Sequence, residues 1–179
     1  IEKQAFPSDR YAVQSQLNFH GNDPNDDLIL LKPDEEEYTS MIAIKNYLKK
    51  HGEEIALVLL GGVNYFTGQA FDMAAITEMT QNCGCRVGFD LAHAAGNLKL
   101  NLHDWGVDFA AWCGYKYLNG GPGAPSGVFI HERHLGRTDL PRFEGWWGHD
   151  KSTRFQMPEN FKPLQTVEAW QLSNPPILS

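Results

Sequence analysis

The spacing of apolar and polar residues along the chain predicts alternating helices and strands. Apolar positions recur with a helical period in residues 9–19, 38–51 and 71–82. Short continuous apolar runs, which are typical of strands buried on both faces of a sheet, occupy residues 28–31, 55–60, 86–89, 109–113 and 128–130. This order predicts an α/β domain with a mainly parallel sheet, arranged as a three-layer sandwich.

Local signals set the ends of the predicted helices. Ser8 precedes the first helical run and is a candidate N-cap. Gly52 and Gly84 follow the second and third runs and are candidate helix stops. From residue 146 to residue 176 the periodic pattern is lost, so we expect ordered loops there. We interpret residues 1–179 as a single partial domain whose parent protein continues upstream and downstream.

Composition and charge narrow the possible functions. Hydrophobic residues make up 42% of the 179 residues, charged residues 21%, and the formal net charge is −7. Because no basic stripe is present, nucleic acid is not an expected partner, and no apolar run is long enough to predict a membrane span. Three cysteines in an odd, sparse set predict neither a disulfide framework nor a metal site, and they fit a cytoplasmic protein.

Polar residues follow two neighbouring predicted strands at their carboxyl ends, where ligands bind in such sheets. Asp90 comes directly after the strand at 86–89, and His93 lies three residues further on. A buried carboxylate needs a positive partner, and a protonated pyridine nitrogen is one that fits. Lys116 follows the strand at 109–113, where poor hydration favours an uncharged, nucleophilic amine. Taken singly, the three residues could instead be a helix cap, a buried histidine and a solvated lysine.

The order of Asp90, His93, Lys116 and a glycine-rich loop at residues 120–123 resembles the fold-type I enzymes that use pyridoxal 5'-phosphate (PLP). Within them it resembles the class V aminotransferase-like group. The loop matches neither the P-loop nor the dinucleotide fingerprint. The resemblance implies that Asp90 pairs with the pyridine nitrogen, that His93 contacts the ring and that Lys116 forms the covalent link to PLP.

Longer stretches resemble the kynureninase family, specifically the central part of its large domain. They are residues 5–9, 65–69, 88–94, 102–110, 115–119, 145–149 and 173–177. The resemblance covers nearly the whole chain. It implies hydrolysis of L-kynurenine, or of its 3-hydroxy form, to the corresponding anthranilate and L-alanine in tryptophan catabolism.

The same resemblance implies roles for five more residues. Tyr115 would hydrogen-bond the PLP phosphate, and Trp146 would reach a phosphate across the interface of a homodimer. Asn174 and His149 would lie near the substrate, where either one could donate to its γ-carbonyl. Gly61 stands where relatives have a serine beside the cofactor, so that only its backbone could approach PLP.

Parts of a complete site are expected to lie outside this chain. The resemblance places a segment of the phosphate loop and a ring-stacking aromatic residue upstream, and an arginine for the substrate carboxylate downstream. The 179 residues alone are therefore expected to be inactive.

Two alternatives to a kynureninase-like enzyme stay open. One is another class V enzyme, such as a desulfurase-like or aminotransferase-like protein. A desulfurase needs an exposed cysteine on a mobile loop, and the positions of Cys83, Cys85 and Cys113 do not fit that requirement. The other alternative is a truncated chain that serves only as a structural or binding partner.

Overall fold

The computed structural model describes residues 1–34, 37–137 and 139–177. Its sheet has four strands in the order β1 (Leu57–Gly61), β2 (Arg86–Asp90), β3 (Phe109–Trp112) and β4 (Gly127–Ile130). The first three strands are parallel, and β4 runs antiparallel to β3. The predicted α/β class with a mainly parallel sheet is confirmed.

The α-helices within the described ranges are α1 (Pro7–Phe19), α2 (Pro24–Asp27), α3 (Met41–His51) and α4 (Met73–Asn82). None of these helices is both long and apolar enough to cross a membrane. Beyond residue 145 the described chain forms loops with short 3₁₀ turns at Trp146–Gly148, Arg154–Gln156 and Val167–Trp170. The prediction of ordered loops in this part of the chain is confirmed.

Two local predictions near the N-terminus are wrong. Helix α1 begins at Pro7 with Phe6 as its N-cap, so Ser8 lies inside the first turn. Proline suits the first helical position because its φ is already helical and its missing N–H is not needed there. The predicted strand at residues 28–31 is reduced to a single parallel bridge between Leu31 and Glu2. The backbone beside it, at residues 1–3, is too short to extend this bridge into a strand pair.

Strand β1 is less buried than its aliphatic sequence predicts. It begins at Leu57, two residues later than predicted, and Leu57 is 41% exposed. The reason is its place in the sheet, since β1 is the outermost strand on its side of the described sheet. An apolar cavity of about 610 Å³ lies beside it, lined in part by α1 and by residues 28–31.

The hydrophobic core joins α3, α4 and the sheet. Its fully buried side chains include Ile76 on α4, and Val87 and Phe89 on β2. Gly88 lies between these two strand residues, and a Cβ atom there would stand 2.2 Å from the ring of Phe109. Glycine at this position therefore leaves room for the tip of the Phe109 ring against β2.

The buried carboxylate of Asp108 connects β2 with the segment after β4, at the end of the sheet where β3 begins. Asp108 directly precedes β3 and is 3% exposed. It accepts the Val87 N–H at 2.8 Å and an Arg133 N–H at 2.8 Å, and His134 Nε2 lies 2.6 Å away. Burial alone would raise the pKa of Asp108, but these hydrogen bonds outweigh it and hold the pKa below its usual value.

Removing this carboxylate is expected to destabilise the fold strongly. Asp108→Ala leaves Arg133 and His134 without their buried partner, which typically costs about 3–5 kcal/mol. Asp104→Ala is the matched control, because its side chain is 82% exposed and such surface changes stay within about 0.5 kcal/mol. Urea unfolding at pH 7 measures both free energies.

The difference in unfolding free energy between wild type and Asp108→Ala should also depend on pH, which provides a second check. A depressed pKa contributes stability above the unfolded value of about 3.9 and loses it as the pH falls through the folded value. The gap between wild type and Asp108→Ala should therefore narrow below about pH 4. Equal losses for the Asp108 and Asp104 variants at pH 7 would contradict this account.

Candidate functional site

The carboxyl ends of β2 and β3 bring His93 and Lys116 into contact. Lys116 Nζ lies 2.9 Å from His93 Nε2. Burial, followed by the charge of Lys116, lowers the pKa of His93, so a neutral imidazole accepts a hydrogen bond from the amine. The ring of Tyr117 packs edge-on against His93 with its centroid 6.0 Å away.

Asp90 ends β2 beside this pair. One of its oxygens accepts the Ala92 N–H at 2.8 Å. The residues after it form successive turns and no α-helix, so Asp90 does not act as a helix cap. Its carboxyl group also shares a hydrogen bond with the carboxyl group of Asp9, which lies in the first turn of α1.

The carboxyl group of Asp9 titrates far above the usual range of an aspartate, and Asp90 is one of the causes. Burial, followed by the charge and hydrogen bond of Asp90, raises the pKa of Asp9 to about 7. The carboxyl of Glu2 acts in the same direction, and Lys116 opposes it. Two carboxyl groups this close cannot both ionise without a cation, so the pair attracts a proton or a cationic N–H group.

An aromatic ring stands next to the lysine. The Phe6 centroid is 5.9 Å from Lys116 Nζ, and Tyr65 packs edge-on against Phe6 at 5.2 Å. The family resemblance implies a ring-stacking aromatic residue upstream of this chain, whereas Phe6 supplies an aromatic ring within it. Phe6 and Asp9 were both missed as site residues. The signal that could have identified them was the family resemblance of residues 5–9.

The loop that carries Lys116 is closed by its own backbone. The Gly120 N–H donates to the Gly114 carbonyl at 3.0 Å. A Cβ atom on Gly114 would stand 2.3 Å from the Pro125 carbonyl oxygen, and one on Gly120 would stand 2.6 Å from Ala124 Cβ. Only glycine allows these approaches, so the glycines hold the backbone on both sides of Lys116 in a compact turn.

The structure shows the surroundings of four other predicted site residues, which are Gly61, Trp146, Tyr115 and Asn174. Gly61 lies close to the Glu2 side chain, because a Cβ atom on Gly61 would stand 3.3 Å from Glu2 Oε1, and the Trp146 indole N–H donates to a backbone carbonyl at 3.1 Å. Tyr115 and Asn174 are exposed. The contacts proposed for these four residues with cofactor and substrate stay predictions.

His149 lies between two loops and contacts both of them. It is buried, its Nδ1 accepts the Lys162 N–H at 3.0 Å, and its Nε2 lies 2.9 Å from Thr153 Oγ1. Because Nδ1 accepts, Nε2 carries the proton and donates it to Thr153. Both ring nitrogens of His149 thus have partners in the structure, and its contact with a substrate stays a prediction.

The raised pKa of Asp9 predicts an unusual pH dependence of stability. A carboxyl group whose pKa rises on folding costs stability when it ionises in the folded state. Wild type should therefore lose stability as the pH rises from about 4, the ordinary aspartate value, through about 7. Asp9→Asn cannot ionise, so it should melt at a higher temperature than wild type at pH 8 and at a similar temperature at pH 4.

Thermal unfolding midpoints across this pH range measure the effect. Asp26→Asn is the control, because Asp26 is an exposed acid at the start of a helix. If Asp9→Asn and Asp26→Asn follow the wild-type curve equally closely, Asp9 does not titrate near neutral pH.

Comparison with known proteins places these residues in a family context. The family model for Aminotransferase class-V matches residues 27–142. The kynureninase of Myxococcus xanthus is 62% identical over 178 residues, which are 99% of this chain and 42% of that protein. The kynureninase of Flavobacterium johnsoniae is 57% identical over 181 residues, with the same two coverages. The chain thus spans less than half the length of these curated relatives.

Solved structures share the fold at low sequence identity. The apo cysteine desulfurase from Thermococcus onnurineus aligns over 97% of this chain and 39% of that one, with a TM-score of 0.70 and 21% identity. An alanine–glyoxylate aminotransferase from Nostoc sp. aligns over 80% of this chain and 36% of that one, with a TM-score of 0.62 and 22% identity. Because the family model matches more than half of its residues, this chain belongs to the class-V aminotransferase family.

Proposed function

We propose that the longer protein to which this chain corresponds hydrolyses L-kynurenine, or its 3-hydroxy form, to the corresponding anthranilate and L-alanine. In this proposal PLP is the cofactor, and Lys116, His93 and Asp90 hold it. The observation that carries the proposal is the 2.9 Å contact between Lys116 and His93 beside the Asp9–Asp90 pair. It occurs in a chain that is 52–62% identical to kynureninases.

The residues at this edge of the sheet fit PLP chemically. Lys116 offers an amine, which is the group that bonds to the aldehyde carbon of PLP. The Asp9–Asp90 pair carries negative charge that a protonated pyridine nitrogen would neutralise. Phe6 offers an aromatic face on the same side as the amine. PLP, when bound, supplies an electron-withdrawing ring that accepts the electron pair released at the substrate Cα.

Lys116 has two roles in this mechanism. Its amine would hold the cofactor through a covalent bond until the amino group of the substrate takes its place. The freed amine lies next to His93 and can remove and return a proton at the substrate Cα. Neutral His93 keeps the amine oriented by accepting one of its hydrogens.

Asp90 and Asp9 have an electrostatic role. A protonated ring nitrogen beside Asp90 would favour the ionised form of Asp9. The two carboxyl groups would then stabilise positive charge at that nitrogen. A donor to the γ-carbonyl of the substrate is also required. Asn174 and His149 are the predicted candidates within this chain.

The cysteines do not support a desulfurase-like function. Cys85 is buried with its thiol against the Gly52 carbonyl at 3.2 Å, and Cys83 faces the Leu48 carbonyl at 3.7 Å. Cys113 is half-buried and follows β3 directly. All three are free thiols, which fits the cytoplasmic location that we include in the proposal.

Replacing the lysine is expected to abolish turnover in the longer protein. Lys116→Ala removes both the covalent attachment and the base, so kynurenine hydrolysis should fall by at least about 10²–10⁴-fold. Lys99→Ala is the control, because Lys99 is exposed. Borohydride reduction of the PLP-loaded protein followed by peptide mapping should place the pyridoxyl group on Lys116. Its recovery on Lys99 or Lys151, or near-normal turnover by Lys116→Ala, would refute the assignment.

The longer protein is also proposed to be a homodimer. Phe143, Phe155 and Met157 expose between 67% and 75% of their surface, and Trp146 lies beside Phe155. Such clustered apolar surface marks an interface. Light scattering should give twice the mass of one copy, and Phe155→Ser should weaken the association while Ser152→Ala should not. A fully active monomer would contradict this part of the proposal.

A further inference from the structure

Arg154, a buried cation in the loops after β4, has no part in the mechanism above. Only 5% of Arg154 is exposed. Its Nη2 donates to the Trp147 carbonyl and, at 3.0 Å, to the His149 carbonyl. Among the described residues, the ion pairs that arginines form involve other arginines, so backbone carbonyls and not carboxylates are the partners of Arg154.

The guanidinium of Arg154 also lies against two indole rings. Its central carbon is 4.4 Å from the centroid of the Trp147 ring and 5.9 Å from that of Trp146. A planar guanidinium can stack on an indole while its N–H groups bond acceptors in its own plane, whereas the ammonium group of a lysine has no flat face. The backbone carbonyl of Arg154 accepts the indole N–H of Trp146 at 3.1 Å.

These contacts hold the 3₁₀ turn Trp146–Gly148. Carbonyl groups at the end of a helical turn have no partner within it. The Arg154 guanidinium donates to two such carbonyls, those of Trp147 and His149, and so closes the end of the turn. The side chain of Arg154 therefore fixes the backbone from which the Trp146 indole projects.

The same turn lies directly on another segment of backbone. A Cβ atom on Gly145 would stand 2.3 Å from Leu172 Cα, and one on Gly148 would stand 2.6 Å from the Ala169 carbonyl oxygen. The turn is thus held both by the guanidinium and by this backbone, while 41% of Trp146 is exposed. A half-exposed indole on a fixed turn has a defined orientation toward a ligand or a partner.

We infer that Arg154 is a positioning residue for Trp146, because its guanidinium fixes the turn that carries the indole. The link to the cofactor rests on the proposed function, in which Trp146 reaches a PLP phosphate, whereas the effect on the orientation of Trp146 does not. The indole has a single N–H, so a phosphate would take this hydrogen over from the Arg154 carbonyl. The turn would keep the ring within reach during that exchange.

Two variants separate the shape of the guanidinium from its charge. Arg154→Met keeps a long side chain without donors, and Arg154→Lys keeps the charge without the planar group. Both retain the backbone carbonyl of residue 154, so they test the guanidinium alone. Arg137→Met is the control, because Arg137 forms an ion pair at the surface with Asp139.

Fluorine NMR of the longer protein without cofactor, labelled with fluorotryptophan, reports the surroundings of each indole. The Trp146 signal, assigned with Trp146→Phe, should shift or broaden in Arg154→Met and in Arg154→Lys. The signals of Trp105 and Trp112, which pack against the hydrophobic core, should stay in place. Arg137→Met should leave all of these signals unchanged.

The affinity of the longer protein for PLP tests whether Arg154 acts through Trp146. Trp146→Phe should raise the Kd for PLP by about tenfold or more, which corresponds to one lost hydrogen bond to a charged phosphate. Arg154→Met should raise it by a similar factor. The double variant should bind PLP no more weakly than the weaker of the two single variants, because both changes remove the same contact.

An unchanged Trp146 signal in Arg154→Met would overturn the inference. So would a shift of all tryptophan signals together with a lowered melting temperature, because Arg154 would then be a general stabiliser of the fold. Losses of affinity that multiply in the double variant would mean that the two residues act independently, which also contradicts it. If Arg154→Met does not fold, Arg154→Lys decides by the same comparisons. If the longer protein binds no PLP, the proposed function falls, while the fluorine spectra still decide whether Arg154 orients Trp146.

Discussion

The parallel pairing of β2 with β3 is the constraint on which the rest of the structure depends, and Asp108 secures it. Its carboxylate holds the Val87 N–H, its backbone N–H donates to the Val87 carbonyl, and its own carbonyl accepts the His131 N–H after β4. One residue thus aligns three strands at one end of the sheet. Because β2 and β3 are short and parallel, this alignment also sets the positions of their carboxyl ends, and Asp90 and Lys116 lie at those ends.

The carboxyl groups at the two ends of the sheet have opposite electrostatic surroundings. Asp108 is surrounded by cationic and N–H groups, so it stays ionised and contributes to stability. At the other end, Glu2, Asp9 and Asp90 lie near one another, with the amines of Ile1 and Lys116 close by, and the pKa values of Glu2 and Asp9 are raised. Acids with raised pKa values at an edge where a ligand can approach are a pattern typical of functional sites.

The sequence was sufficient to predict all four strands of the described sheet to within two residues at each end, the edge strands β1 and β4 included. It was not sufficient for residues 28–31, because an apolar run says nothing about whether a neighbouring strand is long enough to pair with it. Asp90, His93 and Lys116 were predictable because each follows a recognisable strand. Asp9 was not, because it comes from the start of a helix some eighty positions earlier, and only tertiary structure brings it to Asp90.

The closed turn around Lys116 has a kinetic consequence. With Gly120 hydrogen-bonded to Gly114, the backbone at residues 114–120 is held in place, and the amine moves by rotation about side-chain bonds. Such rotations take picoseconds to nanoseconds, whereas loops open in nanoseconds to microseconds. In the proposed mechanism Lys116 changes bonding partners within each catalytic cycle, and with this turn it would do so without waiting for its loop to move.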